Sequence, residues 1–433
     1  MASEVSASDS SAASSASTTE PLDLPAGTTL RRTWRVRRKL GEGGCGVVYE
    51  VQLVGGGVRA AASSASPKKE SPPRLAALKV EPLQKHAEDE ILKMEANVMA
   101  RLRNSKHICR LLMTGKTPHF NFIVMSLLGP NLAELRRRAP KQKFSRWTSL
   151  ATTVQATEAI RDVHLVGFIH RDIKPSNFAL GHTGSEHLLF LFDFGLARNY
   201  LVSGGGGGGK QPKWRPARTN VAFRGTIRYC SRGVHRRLEQ GPHDDVWSLL
   251  YMAVEMIRGS CRSDAEPLAV APTADREGIR VMKETIEDKD LLQGCPSEFH
   301  AILGHVKQLR YGQSPNHRLV LDCLGKACRR LKYRGNEPLD WERGSASYGH
   351  FWQDKGPARR ASGAGGAEKG GGRRRLREGA AGADAAEDNK TLAGLDEMED
   401  SEVETDEDDS SCDSSMADSD TTADTPDLPP SNN

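Results

Sequence analysis

The sequence predicts an α+β fold of two lobes, in which a small β-rich lobe with one main helix precedes a larger α-helical lobe. Between about residues 30 and 126, short runs rich in β-branched and aromatic residues follow the alternating pattern of strands. After Gly129, apolar residues instead recur every three or four positions, which is the spacing of helices. This change of pattern predicts a hinge between the lobes at residues 126–129.

The first lobe, predicted over residues 30–126, contains four strands and a helix. The helix is predicted over residues 88–102 because Ile91, Val98 and Leu102 recur at helical spacing. A stretch rich in Gly, Ser and Pro at residues 55–74 is interpreted as a loop insertion. The strands are predicted at residues 34–40, 47–53, 75–80 and 120–125.

The second lobe, predicted over residues 130–342, is dominated by helices. A glycine-rich stretch at residues 203–216 is interpreted as a second insertion. Together the two lobes and the hinge form one predicted domain over residues 30–342. The helices of the second lobe are predicted at residues 131–138, 146–166, 243–258 and 296–310.

The two ends of the chain differ in composition from the middle. Residues 1–29 are rich in Ser, Ala and Thr and contain no aromatic residue, and residues 343–433 are dominated by Gly, Ala, Arg, Asp and Ser. Both are predicted to be disordered, because such segments cannot bury enough apolar surface to fold. The second includes residues 396–409, with ten acidic residues and no basic one. The formal net charge of +5 therefore conceals a more basic body.

Several classes of protein are disfavoured by the composition. No stretch approaches the ~20 apolar residues of a membrane-spanning helix, and no basic segment followed by an apolar run indicates a signal peptide. The eight cysteines are scattered without a CxxC pair, which favours reduced thiols and speaks against a structural metal site. We expect a soluble, monomeric, cytoplasmic protein without a membrane partner, with the nucleus as an alternative compartment.

A glycine-rich turn links the first two predicted strands. Gly41, Gly43 and Gly46 form a GxGxxG pattern followed by Val48. Glycines allow backbone amides to approach phosphate oxygens, but a plain hairpin turn gives the same letters. The position between two strands disfavours a dinucleotide-binding site and fits a loop that covers the phosphates of ATP.

A lysine lies in the next apolar strand, at position 79 within AALK. It is either a surface residue that points to solvent or a buried cation that needs an anionic partner. Glu95 on the following helix is the preferred partner, because the apolar residues around it turn that face toward the sheet. Glu88 and Glu90 are the rival partners. In the buried arrangement, Lys79 would also hold nucleotide phosphates.

The stretch HRDIKPSNF at residues 170–178 places polar side chains between apolar flanks, and DFG follows at residues 193–195. These are the two loops that phosphoryl transfer requires. We predict that Asp172 orients the substrate hydroxyl and accepts its proton, and that Lys174 balances the charge of the transferred phosphoryl group. Asn177 and Asp193 are predicted to hold magnesium. A charged loop arising by chance does not explain both motifs in this order.

Three residues near these loops have other predicted roles. His170 is interpreted as a packing and hydrogen-bonding residue rather than a base. Arg171 is expected to meet an anion in the segment that follows DFG, here called the activation segment, and this anion is either a phosphate or a carboxylate. Asp245, in HDDVWS, is interpreted as a helix cap and a buried tie to the catalytic loop.

These motifs resemble the casein kinase 1 superfamily of protein kinases, and within it the tau-tubulin kinase branch most closely. The resemblance covers about residues 34–342 and fades after residue 258. PSNF after HRDIK, and a Ser-x-x-x-His segment at 231–235 in place of A-P-E, narrow it to this superfamily. It is carried by LKMEANVM (92–99), HICRLL (107–112), FNFIVMSLLGPNLAEL (120–135), GFIHRDIKPSNFALG (167–181), FDFGLAR (192–198), FRGTIRY (223–229) and HDDVWSLLYM (243–252).

The resemblance implies a bilobal protein-kinase fold and transfer of the γ-phosphate of ATP, with Mg²⁺, to Ser or Thr of proteins. The adenine would contact the backbone at Leu128 in the hinge, with Met125 as gatekeeper and with Val48 and Ala77 packed on the ring. The residues expected to contact the nucleotide are Leu40, Gly41, Gly43, Gly46, Val48, Ala77, Lys79, Met125, Leu128 and Asp193.

The resemblance also implies acidic or already phosphorylated protein substrates, cytoskeletal proteins among them. The basic character of the activation segment agrees with this, and Arg228 lies where the family has an anion-holding arginine. A solvated basic loop or a nucleic-acid patch is the alternative, although no stacking aromatic residues alternate with the arginines. The residues expected to meet substrate anions are Arg171, Arg218, Arg224 and Arg228.

Two hypotheses concern regulation and turnover. The acidic run at 396–409 could bind the basic activation segment of its own chain, or it could serve only solubility. The chain could also be a nucleotide-binding, pseudokinase-like scaffold with little turnover, although no catalytic residue is missing from its sequence.

Overall fold

The first lobe is built on an antiparallel sheet with the strand order β1-β2-β3-β4-β6-β5. In this computed structural model, the described residues are 23–43, 46–54, 74–83, 91–202, 213–259 and 276–352. One face of the sheet packs its own apolar cluster, which includes Trp34, Tyr49 and Phe122. The strands are Thr29–Leu30 (β1), Trp34–Gly43 (β2), Gly46–Leu53 (β3), Leu75–Pro82 (β4), Leu111–Lys116 (β5) and Phe120–Ser126 (β6).

The opposite face of the sheet carries the one helix described in this lobe, Ile91–Arg101 (α1). Leu92, Val98 and Met99 of α1 are buried against the sheet. Of the three residues whose spacing predicted the helix, Val98 and Leu102 are buried and Ile91 is half-buried. The carboxylate of Glu81, on β4, accepts hydrogen bonds from the backbone N–H groups of Ile91 and Leu92, at 3.0 and 3.1 Å. An anion at a helix N-terminus offsets the unpaired N–H groups and the helix dipole. β4 therefore holds the start of α1.

The hinge leads into a short strand, Leu128–Asn131 (β7), which pairs with β9 of the second lobe. The predicted small β-rich lobe and larger helical lobe are confirmed. The further strands are Phe168–Ile169 (β8), Phe178–Gly181 (β9), Leu189–Leu191 (β10), Arg198–Asn199 (β11), Leu201–Val202 (β12) and Lys213–Trp214 (β13). The further helices are Leu132–Arg138 (α2), Arg146–Leu165 (α3), Arg232–His235 (α4), Pro242–Arg258 (α5), Arg276–Thr285 (α6), Asp288–Leu291 (α7), Phe299–Gln308 (α8), His317–Arg330 (α9) and Tyr348–Trp352 (α10).

Helix α5 lies at the centre of the second lobe, where it packs against α3, α8 and β8. Most of its residues are buried, which explains why an apolar run follows the acidic start of HDDVWSLLYM. The core of this lobe continues without interruption into the floor of the first lobe through Met125, Ile123 and Ala77. The two lobes therefore share one apolar core beneath the cleft.

The fold extends beyond both predicted domain ends. Near the N-terminal end, the backbone N–H of Leu24 donates to the hydroxyl of Tyr49 at 3.0 Å. Near the C-terminal end, Phe351 on α10 is buried, and the Trp352 indole N–H donates to the Trp341 carbonyl at 2.7 Å. Residues 23–29 and 343–352, assigned from sequence to the tails, thus pack on the domain. The acidic run at 396–409 lies outside the described residues.

The second insertion is only in part a loop. Its residues Lys213 and Trp214 form β13, which pairs antiparallel with β12. Trp214 packs between Tyr200 and Tyr311, with ring centroids 4.8 and 5.5 Å away. Residues 203–212, and residues 55–73 of the first insertion, lie outside the described residues. Within the described ranges, no helix is long and apolar enough to span a lipid bilayer.

Candidate active site

A β-hairpin brings the two polar loops of the second lobe together. Phe178 at the start of β9 pairs with Leu191 at the end of β10. Asn177 directly precedes this pair, Phe192 follows it, and the Phe192 N–H donates to the Asn177 carbonyl at 3.1 Å. Because Asp193 comes next, the antiparallel register places it beside Asn177 across the ladder.

The Asp172 carboxylate is held on both of its oxygens. Its Oδ1 accepts from the backbone N–H and the hydroxyl of Thr226, at 3.0 and 2.7 Å. Its Oδ2 accepts from the Asn177 amide at 3.2 Å and lies 3.3 Å from the Lys174 ammonium. The side chain is 12% exposed, so it is fixed yet open to the cleft.

Asp245 anchors the backbone of this catalytic loop from α5. Its carboxylate accepts from the N–H groups of His170 and Arg171, at 2.8 and 2.9 Å, and contacts His164 Nε2 at 2.9 Å. Burial opposes ionisation, but the hydrogen bond from His164 and its charge outweigh burial and lower the pKa of Asp245. Arg171 has φ +70°, a backbone conformation that needs such support.

Of the two roles predicted for Asp245, the structure contains only one. The tie to the catalytic loop is present, but the helix cap is not made by Asp245. Its neighbour Asp244 accepts from the N–H of Gly241, the N-cap residue of α5, at 2.7 Å, because that carboxylate points back toward the start of the helix. His170 is fully buried and packs on Phe194, with ring centroids 5.2 Å apart, as a packing residue would.

Lys79 is a buried cation with two carboxylate partners. Its Nζ lies 2.8 Å from Glu95 Oε2 on α1 and 2.9 Å from Asp193 Oδ1. Lys79 is 5% exposed and Glu95 is 1% exposed, so the solvated-surface interpretation does not hold. The rival residues Glu88 and Glu90 lie outside the described residues.

The charges of Lys79, Glu95 and Asp193 favour the binding of a further cation. Burial opposes ionisation of Asp193, but the charge of and hydrogen bond from Lys79 outweigh it and lower the pKa of Asp193 to about 2. Burial is also the main influence on Glu95, and with Asp193 it raises the pKa of Glu95 against the attraction of Lys79. One ammonium between two carboxylates leaves an excess of negative charge when both are ionised.

The oxygen atoms at the hairpin suit magnesium. The Asn177 amide nitrogen donates to the Asp172 carbonyl at 2.8 Å, which turns the amide oxygen to the opposite side. Asp193 uses Oδ1 for Lys79 and is ionised at neutral pH. Carboxylate and amide oxygens are the ligands that Mg²⁺ prefers. Asn177 and Asp193 would therefore hold the ion, whose chemistry is to neutralise charge on transferring phosphates.

The residues predicted to contact the nucleotide lie on β2, β3, β4, β6 and β7, apart from Asp193. Val48 on β3 pairs in register with Lys79, and Ala77 on β4 pairs with Met125 on β6. Leu128 begins β7 and is half-buried. Leu40, Gly41 and Gly43 are exposed on β2, while residues 44 and 45 at the tip lie outside the described residues.

Replacing Gly46 by Ala is expected to destabilise the protein. Gly46 has φ +106°, and a Cβ there would lie 2.1 Å from the Val80 carbonyl oxygen. Strained left-handed backbone alone costs an L-residue about 1–2 kcal/mol, so the free energy of unfolding should fall by at least that amount. Gly43→Ala is the matched control, because nothing lies within 4 Å of its Cβ position. Equal urea-unfolding midpoints for the two variants would contradict this account.

Comparison with known proteins identifies the family. The sequence matches the protein kinase domain model over residues 34–303, more than half of the chain. The chain belongs to the protein kinase family. A Dictyostelium discoideum protein named "Probable serine/threonine-protein kinase" is 32% identical over 74% of this chain. The match covers 59% of that relative, so this chain spans less than two thirds of its length.

Two Caenorhabditis elegans proteins are also similar to this kinase. One, named "Putative casein kinase I", is 30% identical over 75% of this chain and 87% of its own length. The other, named "Inactive tau-tubulin kinase", is 32% identical over 58% of this chain and 86% of its own length. By homology, this chain is a serine/threonine protein kinase with the protein-kinase fold.

The structure divides the four arginines expected to meet anions into two groups. Arg218 contacts Glu239 at 2.7 Å, Arg171 lies near the same carboxylate, and Arg224 lies near Arg171. Burial and the repulsion of Arg198, Arg224 and Arg218 lower the pKa of Arg171 to about 9, against the attraction of Glu239. The anion expected near Arg171 is thus, at least in part, a carboxylate of the kinase itself.

Arg228 lies in a separate charged cluster, which is formed with residues of α2 and α5. It contacts Glu255 at 3.1 Å, and Arg136 on α2 contacts the same carboxylate at 3.2 Å. The Tyr229 hydroxyl donates to Glu255 at 2.8 Å. Two arginines and a tyrosine thus share the Glu255 carboxylate.

Sequence reasoning missed several residues that build the kinase site: Thr226, Glu81, Glu239 and His164. Each contributes a hydrogen bond to a residue that it does not neighbour in sequence. Thr226 lies 54 positions from Asp172, and no local pattern relates the two.

Proposed function

We propose that this kinase transfers the γ-phosphate of ATP to Ser or Thr of acidic or already phosphorylated proteins, as a casein kinase 1 superfamily member nearest the tau-tubulin kinase branch. The observation that carries the proposal is the Asp172 carboxylate, fixed by Thr226 and Asn177 at the mouth of the cleft. A general base must lie within hydrogen-bonding reach of the proton it accepts, and this carboxylate is held ready for a hydroxyl.

The remaining residues take roles that follow from their contacts. Asp172 orients the acceptor hydroxyl and accepts its proton, while Lys174, at 3.3 Å from that carboxylate, balances charge on the phosphoryl group. Lys79, which pairs with Glu95 and Asp193, binds phosphate oxygens of the nucleotide in this proposal. These residues are assembled together, so the protein supplies positioning and charge balance rather than covalent chemistry.

The charge beside the activation segment supports acidic substrates. Arg171 interacts through space with Arg198, Arg218 and Arg224, and Arg198 and Arg218 also contact Glu239. Four guanidinium groups so close together attract anions, which is the physical reason to expect an acidic substrate here. Peptides with acidic or phosphorylated residues near the acceptor would therefore bind better than neutral ones.

The test of this preference compares two peptides with one acceptor serine, flanked by Glu in one and by Gln in the other. The Arg224→Gln variant is expected to raise the KM for the acidic peptide about three- to tenfold, because a surface charge pair contributes on the order of 1 kcal/mol. The KM for the neutral peptide should stay unchanged. Arg318→Gln, which removes an exposed arginine on α9, is the matched control. Equal KM values for the two peptides with the wild type would contradict the preference.

A nucleotide-binding scaffold with little turnover is the second candidate, because one relative bears the name "Inactive tau-tubulin kinase". Such a protein would gain thermal stability with ATP and Mg²⁺ but would not phosphorylate casein or an acidic peptide. The arrangement of Lys79, Asp172 and Asp193 favours turnover. Transfer of phosphate by purified wild type, lost in Asp172→Asn, would exclude the scaffold.

A further inference from the structure

A lysine ammonium is buried beneath the activation segment, on a helix that the catalytic motifs do not include. Lys283 lies on α6 and is 3% exposed. Among the described residues, no carboxylate is paired with it. Burial lowers its pKa to about 8. Burying a charge without an ionic partner costs free energy, so other contacts of the ammonium must offset this cost.

The contacts of Lys283 converge on one turn of the backbone. Its Nζ donates to the carbonyl oxygens of Ile227 and Cys230, each at 2.7 Å. It also lies 3.3 Å from His235 Nε2 and 4.8 Å from the centroid of the Tyr251 ring. Two carbonyls, an imidazole and an aromatic face together replace the water that the ammonium loses.

That turn directly follows the residue that holds the catalytic carboxylate. Thr226 donates to Asp172, and the Thr226 carbonyl accepts from the N–H groups of Tyr229 and Cys230, each at 3.0 Å. Ser231 then begins α4 as its N-cap residue. Residues 226–230 are thus fixed by Asp172 at one end and by Lys283 along their length.

A protein substrate must pass close to this turn. Its acceptor hydroxyl has to reach Asp172, and Thr226 occupies one side of that carboxylate at 2.7 Å. The residues of the substrate next to the acceptor therefore lie against residues 226–230. We propose that Lys283 is a positioning residue, which holds residues 226–230 in the shape that receives the substrate polypeptide. This inference rests on the kinase activity and not on the preference for acidic substrates.

The test uses the full chain with Lys283→Met, which removes the donors with little change in size, and Lys283→Arg, which keeps the charge. Lys289→Met is the matched control, since that lysine is exposed on α7. In Lys283→Met, the KM for a peptide is expected to rise about tenfold, while the KM for ATP stays within twofold, because charge-assisted hydrogen bonds to the turn are lost. The peptide KM of Lys283→Arg should lie between those of Lys283→Met and the wild type.

Hydrogen exchange of the backbone amides gives a readout that does not depend on turnover. Faster exchange in Lys283→Met, confined to residues 224–231 and absent from β4 and α1, is the expected result. Unchanged exchange there, or a peptide KM equal to that of the wild type, would overturn the inference. A loss of activity with both KM values unchanged would mean that Lys283 serves stability alone and would also overturn it. If Lys283→Met does not fold, Lys283→Arg and Lys283→Gln decide by the same two measurements. A wild type that phosphorylates no peptide would instead refute the proposed function.

Discussion

Asp172→Asn is expected to lower the rate of phosphate transfer by about 100- to 10,000-fold, the usual contribution of a positioned base. The carboxylate accepts four contacts, from Thr226, Asn177 and Lys174. An asparagine of the same shape keeps one acceptor oxygen, but its amide nitrogen cannot accept a proton and would face a donor or a cation. The measurement is incorporation of labelled phosphate into an acidic peptide at saturating ATP.

Binding of the nucleotide separates a catalytic loss from a folding defect in this variant. Asp172→Asn should keep the thermal stabilisation that ATP and Mg²⁺ give to the wild type, because Lys79, Asn177 and Asp193 remain. Asp322→Asn, which changes an exposed carboxylate on α9, should leave the rate unchanged. A transfer rate within threefold of the wild type for Asp172→Asn would remove Asp172 from the mechanism.

Lys79→Met should reduce both transfer and stability, for separate physical reasons. Transfer should fall by about 100- to 1,000-fold, because the preorganised cation for the phosphates is lost. Stability should fall by about 3–5 kcal/mol, because removing one partner of a buried ion pair leaves uncompensated charge on Glu95 and Asp193. Peptide phosphorylation and urea unfolding measure the two effects.

The double variant Lys79→Met/Glu95→Gln distinguishes these reasons. Removing the Glu95 charge should restore much of the lost stability but none of the lost transfer. Lys93→Met, on the exposed side of α1, is the control that should change neither quantity. Recovery of transfer together with stability would show that Lys79 acts only as a structural counter-ion.

The sequence predicted the elements whose patterns are local. The strands around Lys79 and the helix that carries Glu95 follow from alternation and helical spacing, and the predicted pairing of these two residues agrees with their 2.8 Å contact. The GxGxxG turn was predictable for the same reason, since Gly46 adopts a positive φ, which favours glycine. Such features depend on neighbours in the chain, so the order of the residues is enough to find them.

Features that depend on distant partners were not predictable. Lys283 lies 56 positions from Ile227, and α6 carries few apolar residues. Helix α9 also escaped, because its buried residues form a narrow stripe at Val320, Cys323, Leu324 and Ala327 between charged ones. The cap of α5 was assigned to Asp245 rather than Asp244, because two adjacent aspartates give the same pattern until the backbone direction is known.

The attachment of α1 to β4 through Glu81 has a consequence for control of the enzyme. Lys79 and Glu81 lie two positions apart on β4. Glu81 binds the start of α1 and Lys79 binds Glu95 in its middle, so one strand holds the helix at two points. Many switches work by swinging such a helix outward, and here that movement would break both charged attachments together. Inhibition by displacement of α1 would therefore cost more free energy than inhibition by blocking the binding of the protein substrate.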